Sequence, residues 1–114
     1  MLRVIFSGLT VFSNRVTIKN SEVVIIVEGH ADFDQKGEDL VCAAVSVLSQ
    51  TMILSLEKLT DVKQEVTKDN GFLKTEFKNQ PNQQKELEII ISNFYIGLLE
   101  IKKEYLPKMA LVFV

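Results

Sequence analysis

With a single cysteine, the chain can form no disulfide within itself, and this fits a reducing, cytoplasmic setting. One cysteine and one histidine are too few for a usual structural zinc site without several carboxylates at ligand spacing, and no such spacing is present, so no metal and no cofactor are expected. Basic residues are not in excess: the formal net charge is −2, whereas a general nucleic-acid binder carries a basic bias, so no direct nucleic-acid partner is expected. No unbroken apolar run reaches the ~18 residues of a membrane span, and no membrane partner is expected. The apolar start Met1–Phe6 is interrupted by Gly8 and by Ser13-Asn14-Arg15 before any signal-peptide core with a cleavage site. Low-complexity tracts, internal repeats and linkers are absent. What remains is an ordinary globular composition, 46% hydrophobic and 25% charged, read as one domain over 1–114.

The rarest residues stand close together. His30 and Cys42 are twelve apart, in Gly29-His30-Ala31-Asp32 and Asp39-Leu40-Val41-Cys42-Ala43-Ala44-Val45-Ser46. A thiol becomes an efficient nucleophile near neutral pH when a base takes its proton, and imidazole is the side chain suited to that task. If the chain performs cysteine chemistry with its own histidine, this pair is the only one available. The alternative is a small buried packing cysteine and a structural histidine at a strand end.

Leu2–Phe6, Val16–Lys19 and Val23–Val27 read as strands, the last a continuous β-branched run that belongs in a sheet centre. His30 then falls where a strand gives way to a loop. Residues 32–38 are polar and carry Gly37, so they read as that loop, with Phe33 its one large apolar residue. A first helix is expected from about Asp39 to Leu59, with Val41, Ala44, Val45, Leu48, Met52 and Leu59 facing the core. Asp39 is the candidate N-cap, which places Cys42 inside the first turn, where unpaired backbone N–H groups gather positive charge. Asp39, Cys42 and Ser46 lie along one line of that helix.

Val62–Thr67 and Phe72–Phe77 read as a hairpin about Asp69-Asn70-Gly71. Pro81 suits the first turn of a second helix to about Leu106, with Leu87, Ile90, Ile91, Phe94, Leu98, Ile101 and Tyr105 buried. The apolar run Met109–Val114 reads as a terminal strand, expected to be paired or buried in an interface such as that of a homodimer. The expected fold is α+β: a two-layer sandwich of a mainly antiparallel sheet with two long helices on one face, in the order β-β-α-β-β-α with a C-terminal strand.

Gly29-His30-Ala31-Asp32, Gly37 and Asp39-x-x-Cys42-Ala43-Ala44-x-Ser46 resemble the signature of the bacterial ribosomal-processing cysteine proteases, the Prp family. The resemblance implies a cytoplasmic cysteine endopeptidase that cuts a short N-terminal extension from a large-subunit ribosomal protein, the twenty-seventh of the L series. It maps the nucleophile to Cys42, the base to His30, and the motif aspartate and serine to Asp39 and Ser46. It also implies an apolar groove for bulky residues before the cut. Phe33-Asp34-Gln35-Lys36 stands where some relatives carry further glycine or histidine, which bears on loop stiffness and substrate preference.

On the residues alone, Asp39 either caps the helix or orients His30. Ser46 either bonds the thiol or a backbone carbonyl one turn back, or is a small residue that lets the helix approach the sheet. Gly29 and Gly37 are expected to serve backbone geometry, Gly37 also as a loop hinge, and Phe33 to cover the cleft or line an aromatic groove. A non-catalytic ribosome-associated interaction module with the same fold is the competing function.

Overall fold

The computed structural model describes residues 2–29, 38–105 and 107–114. Their elements run β1 (Arg3–Ser7), β2 (Leu9–Phe12), β3 (Arg15–Ile18), β4 (Glu22–Glu28), α1 (Glu38–Leu59), β5 (Glu65–Asp69), β6 (Phe72–Lys78), a 3-10 turn (Pro81–Gln83), α2 (Gln84–Glu104) and β7 (Ala110–Phe113). The class is α+β, with a five-stranded sheet in the order β5-β6-β4-β1-β7. All its pairings are antiparallel except that of β7, which runs parallel to β1.

Alternation along the strands sends one set of side chains to the helices. Phe6 stands opposite Ile25, Ile25 opposite Thr75, and Val23 opposite Phe77. All five residues are buried. Both helices lie over this face. On the α2 side Phe6 meets Phe94 and Tyr95, at ring-centroid distances of 6.1 and 6.0 Å. On the α1 side, Gln64 accepts a hydrogen bond from the Thr75 hydroxyl at 2.7 Å and donates one to the Ile53 carbonyl at 3.0 Å. That buried hydroxyl is thereby satisfied, as its burial requires.

The structure adds a hairpin that the periodicity did not reveal. Leu9–Phe12 is a strand, and it pairs with β3 in a separate two-stranded sheet. The Val16 strand therefore belongs to this hairpin and not to the main sheet. Its open edge is met by α2: the Val16 N–H donates to Ser92 Oγ and the Ile18 N–H to Glu88 Oε2, each at 2.9 Å. Buried Glu88 also accepts from Gln84 and lies 3.6 Å from Arg15. Side chains of a helix thus satisfy backbone donors that a neighbouring strand would otherwise take.

Several boundaries and stripe members differ from expectation. On α1, Ala44 and Leu59 are exposed, while Ser49 and Leu56 are buried in line with Val41, Val45 and Met52. Ser49 tolerates burial because its hydroxyl donates to the Val45 carbonyl at 2.7 Å. On α2, Tyr105 is 70% exposed at the helix end and Tyr95 takes its place in the core. β5 begins at Glu65, three residues later than expected, because buried Val62 and half-buried Gln64 serve the link from α1. The terminal strand is present and paired on one side, with Phe113 stacked on Phe6 at 4.5 Å. The Leu40–Leu59 stretch has mean hydropathy 1.7 and is long and apolar enough, by length and composition, to cross a bilayer, although no unbroken run is. Here its buried residues join the core shared with the sheet and α2.

Gly8 is the pivot between β1 and the hairpin. Its carbonyl accepts the Lys19 and Asn20 N–H groups, its φ is +80°, and a Cβ there would stand 2.2 Å from the Glu22 carbonyl oxygen. Gly8→Ala is expected to lower stability by about 2 kcal/mol or more, from the strained φ and the backbone clash together. Urea unfolding checks this, and an unchanged midpoint would refute the pivot.

Candidate functional site

Cys42 lies four residues into α1, with its thiol free and half-buried. The helix starts at Glu38, one residue earlier than expected, so Asp39 is its second residue instead of its N-cap. An acidic residue there still favours the positive helix end. The Asp39 side chain lies outside the described part of the structure. So do His30, Ala31, Asp32, Phe33, Asp34, Gln35, Lys36 and Gly37, and with them the His30–Cys42 geometry and the expected loop.

The described neighbours show where that segment is anchored. β4 ends at Glu28 and is followed by Gly29, whose φ of +101° is a conformation L side chains rarely adopt. Its N–H donates to the Gly71 carbonyl at 3.0 Å, tying the end of β4 to the β5–β6 turn. Gly29 and Cys42 line the same cleft of about 210 Å³, together with Val27, Ser46, Gln50 and Lys68. The residue directly before His30 and the sulfur are therefore on one cavity wall or another of a single cleft. Clefts of about 440 and 550 Å³ open elsewhere, but neither contains the thiol. The smaller cleft is the candidate site on chemical grounds, since Cys42 lines it.

Ser46, one turn beyond Cys42, is exposed. Its hydroxyl accepts a hydrogen bond from Gln50 Nε2 at 2.7 Å. Among the described residues it bonds neither the Cys42 sulfur nor a carbonyl one turn back, two of the three readings that the sequence left open for it. Gln50 in turn accepts from Lys68 Nζ at 3.4 Å. Gln50 and Lys68 were not singled out from sequence. Extending the Asp39–Cys42–Ser46 line by one more turn reaches Gln50. Lys68 needed the β5–β6 register, which sets it opposite Leu73 on the helix side. No group of three or more His, Cys, Asp or Glu that could hold a metal occurs among the described residues.

The arrangement provides an accessible sulfur near a helix start, a row of polar side chains beside it, and a floor of sheet residues. That is a site for a nucleophile acting on a bound chain or small acyl group.

Comparison with known proteins agrees with this chemistry. Residues 11–109 match the family model described as cysteine protease Prp. The ribosomal processing cysteine protease Prp of Staphylococcus aureus strain Mu50 is 25% identical over 81 residues, covering 71% of this chain and 76% of the relative. The fold is shared with the S. aureus Prp protease solved with a substrate peptide, at TM-score 0.71, 22% identity and full coverage of both chains. It is also shared with a Streptococcus mutans protein at TM-score 0.67 and 20% identity, covering 99% of this chain and 94% of that one.

Because the thiolate is the reactive form and a histidine base promotes it, Cys42 is expected to alkylate readily in the folded protein, and His30→Ala to slow that reaction at pH 7. Iodoacetamide labelling followed by mass spectrometry measures both. Equal rates in the two proteins would remove His30 from the activation of Cys42.

Proposed function

The chain belongs to the Prp cysteine protease family, and from that premise we propose that it is an endopeptidase with a Cys42–His30 dyad that removes the N-terminal extension of a large-subunit ribosomal protein, the twenty-seventh of the L series. The observation that carries the reading is the half-exposed Cys42 thiol in the cleft whose wall includes Gly29, the residue before His30. The S. aureus ribosomal processing cysteine protease, and the S. aureus Prp solved with a substrate peptide, support the choice of substrate class.

In this reading, His30 takes the thiol proton while the sulfur attacks the scissile carbonyl carbon. Collapse of the tetrahedral adduct breaks the C–N bond, and His30 returns the proton to the leaving amine. A thioester to Cys42 remains. Water, deprotonated by His30, attacks it and releases the carboxyl product with the thiol restored. Backbone N–H groups at the start of α1 would serve as donors for the oxyanion, and one such donor can contribute ~3 kcal/mol. Peptide residues before the cut would lie against Val27, Phe72 and Leu73, the apolar part of the cleft. A cytoplasmic setting follows from acting on a ribosomal protein and from the lone cysteine. A homodimer would use the outer edge of β7, since its other edge is taken by β1.

Incubation with the precursor, followed by intact-mass measurement, tests the activity. Cys42→Ser should abolish cleavage, keep the fold, and hold the uncut precursor as a complex. His30→Ala should lose ~100- to 10,000-fold in turnover, since base and leaving-group acid are one residue. Asp39→Asn separates two roles: activity survives if Asp39 serves only the helix end, and falls sharply if it orients His30. Full cleavage by the Cys42→Ser protein would refute the Cys42 endopeptidase, whereas no cleavage by the unsubstituted protein would leave a non-catalytic binding module.

A further inference from the structure

Cys42, Ser46 and Gln50 are spaced four apart on α1, and all three line the cleft. That spacing stacks them along one face of the helix. Gln50 Nε2 donates to Ser46 Oγ at 2.7 Å, and Lys68 Nζ donates to Gln50 Oε1 at 3.4 Å. An ammonium group only donates, so the Gln50 atom facing it must be the oxygen, which turns the amide NH2 toward Ser46. The position of Lys68 is unusual for its register. Val4, Val27, Leu73 and Lys68 form one row across β1, β4, β6 and β5, on the side that faces the helices. The row is apolar until it ends in this lysine.

Ser49 and Ser46 differ in what they do with their protons. Ser49 is buried and spends its hydroxyl proton on the Val45 carbonyl. Ser46 is exposed at the cleft, accepts from Gln50, and donates to no described residue. A hydroxyl that accepts a hydrogen bond becomes a better donor.

We propose that Lys68 and Gln50 are positioning residues of the peptide site, holding Ser46 so that its O–H is presented to a carbonyl of the bound peptide one helical turn from the sulfur. The proposal rests on the endopeptidase reading. An inward-facing lysine on an edge strand also deters strand addition. That duty would not require a hydrogen bond to Gln50, nor one from Gln50 to Ser46.

Gln50→Glu is the discriminating substitution. It keeps the size and polarity of the side chain, but a carboxylate only accepts, so the Ser46 proton turns away from the cleft toward it. With a peptide spanning the precursor's cleavage site, KM should rise about tenfold with kcat within about twofold. Gln50→Leu should do the same, and Ser46→Ala combined with Gln50→Glu should be no worse than Ser46→Ala alone. Iodoacetamide should alkylate Cys42 at the unsubstituted protein's rate in Gln50→Glu, because the relay serves substrate and not sulfur. Unchanged KM in both Gln50 variants, or a fall confined to kcat, would overturn the relay while leaving the endopeptidase standing. No cleavage by the unsubstituted protein would overturn both.

Discussion

Every layer of this protein takes its position from β4, which pairs along its whole length with β6 on one side and from Val24 to Glu28 with β1 on the other. A strand buried between two neighbours has its register fixed twice over, since a slip of one residue would turn Val23 and Ile25 from the helices to the opposite face. The same register delivers Gly29 to the end of the sheet nearest α1. There it adopts a positive φ and donates its N–H to the Gly71 carbonyl, on the wall of the cleft that Cys42 lines. The cleft containing Cys42 is thus a consequence of where a central strand stops.

The second organising contact is polar. α2 buries Leu87, Ile91, Phe94 and Leu98 against the sheet, and on its flank it uses Glu88 and Ser92 to satisfy backbone N–H groups of β3. A buried carboxylate persists only when hydrogen-bonded and charge-paired, and Glu88 has Ile18, Gln84 and Arg15 around it. This contact anchors the small hairpin without extending the main sheet. Both helices then remain on one face, and α1 keeps one side along the cleft.

Family membership and local geometry bear on different parts of the functional argument. The family places cysteine protease chemistry on the chain. The structure contributes the half-exposed thiol, the cleft it shares with Gly29, and the polar line from Cys42 through Ser46 to Gln50 and Lys68.

The sequence by itself determined the α+β class, both long helices, the Asn70-Gly71 hairpin and the candidacy of Cys42, because these rest on signals within a few residues: apolar periodicity, turn chemistry and the rarity of one thiol. It missed the strand Leu9–Phe12, whose short run carries too little alternation to stand out and whose pairing with β3 is completed by α2. It misplaced Tyr105 and Leu59 in the core because periodicity cannot say where a helix outruns the layer it covers. It overlooked Ser49, whose burial depends on a hydroxyl bond back to its own helix. Only the tertiary structure decided that Lys68 faces the helices, that Gln50 lies between it and Ser46, and that Gly29 and Cys42 share a cleft. Each of these joins residues far apart in the chain, and strand register and helix placement, which bring them together, are settled by packing and not by local preference.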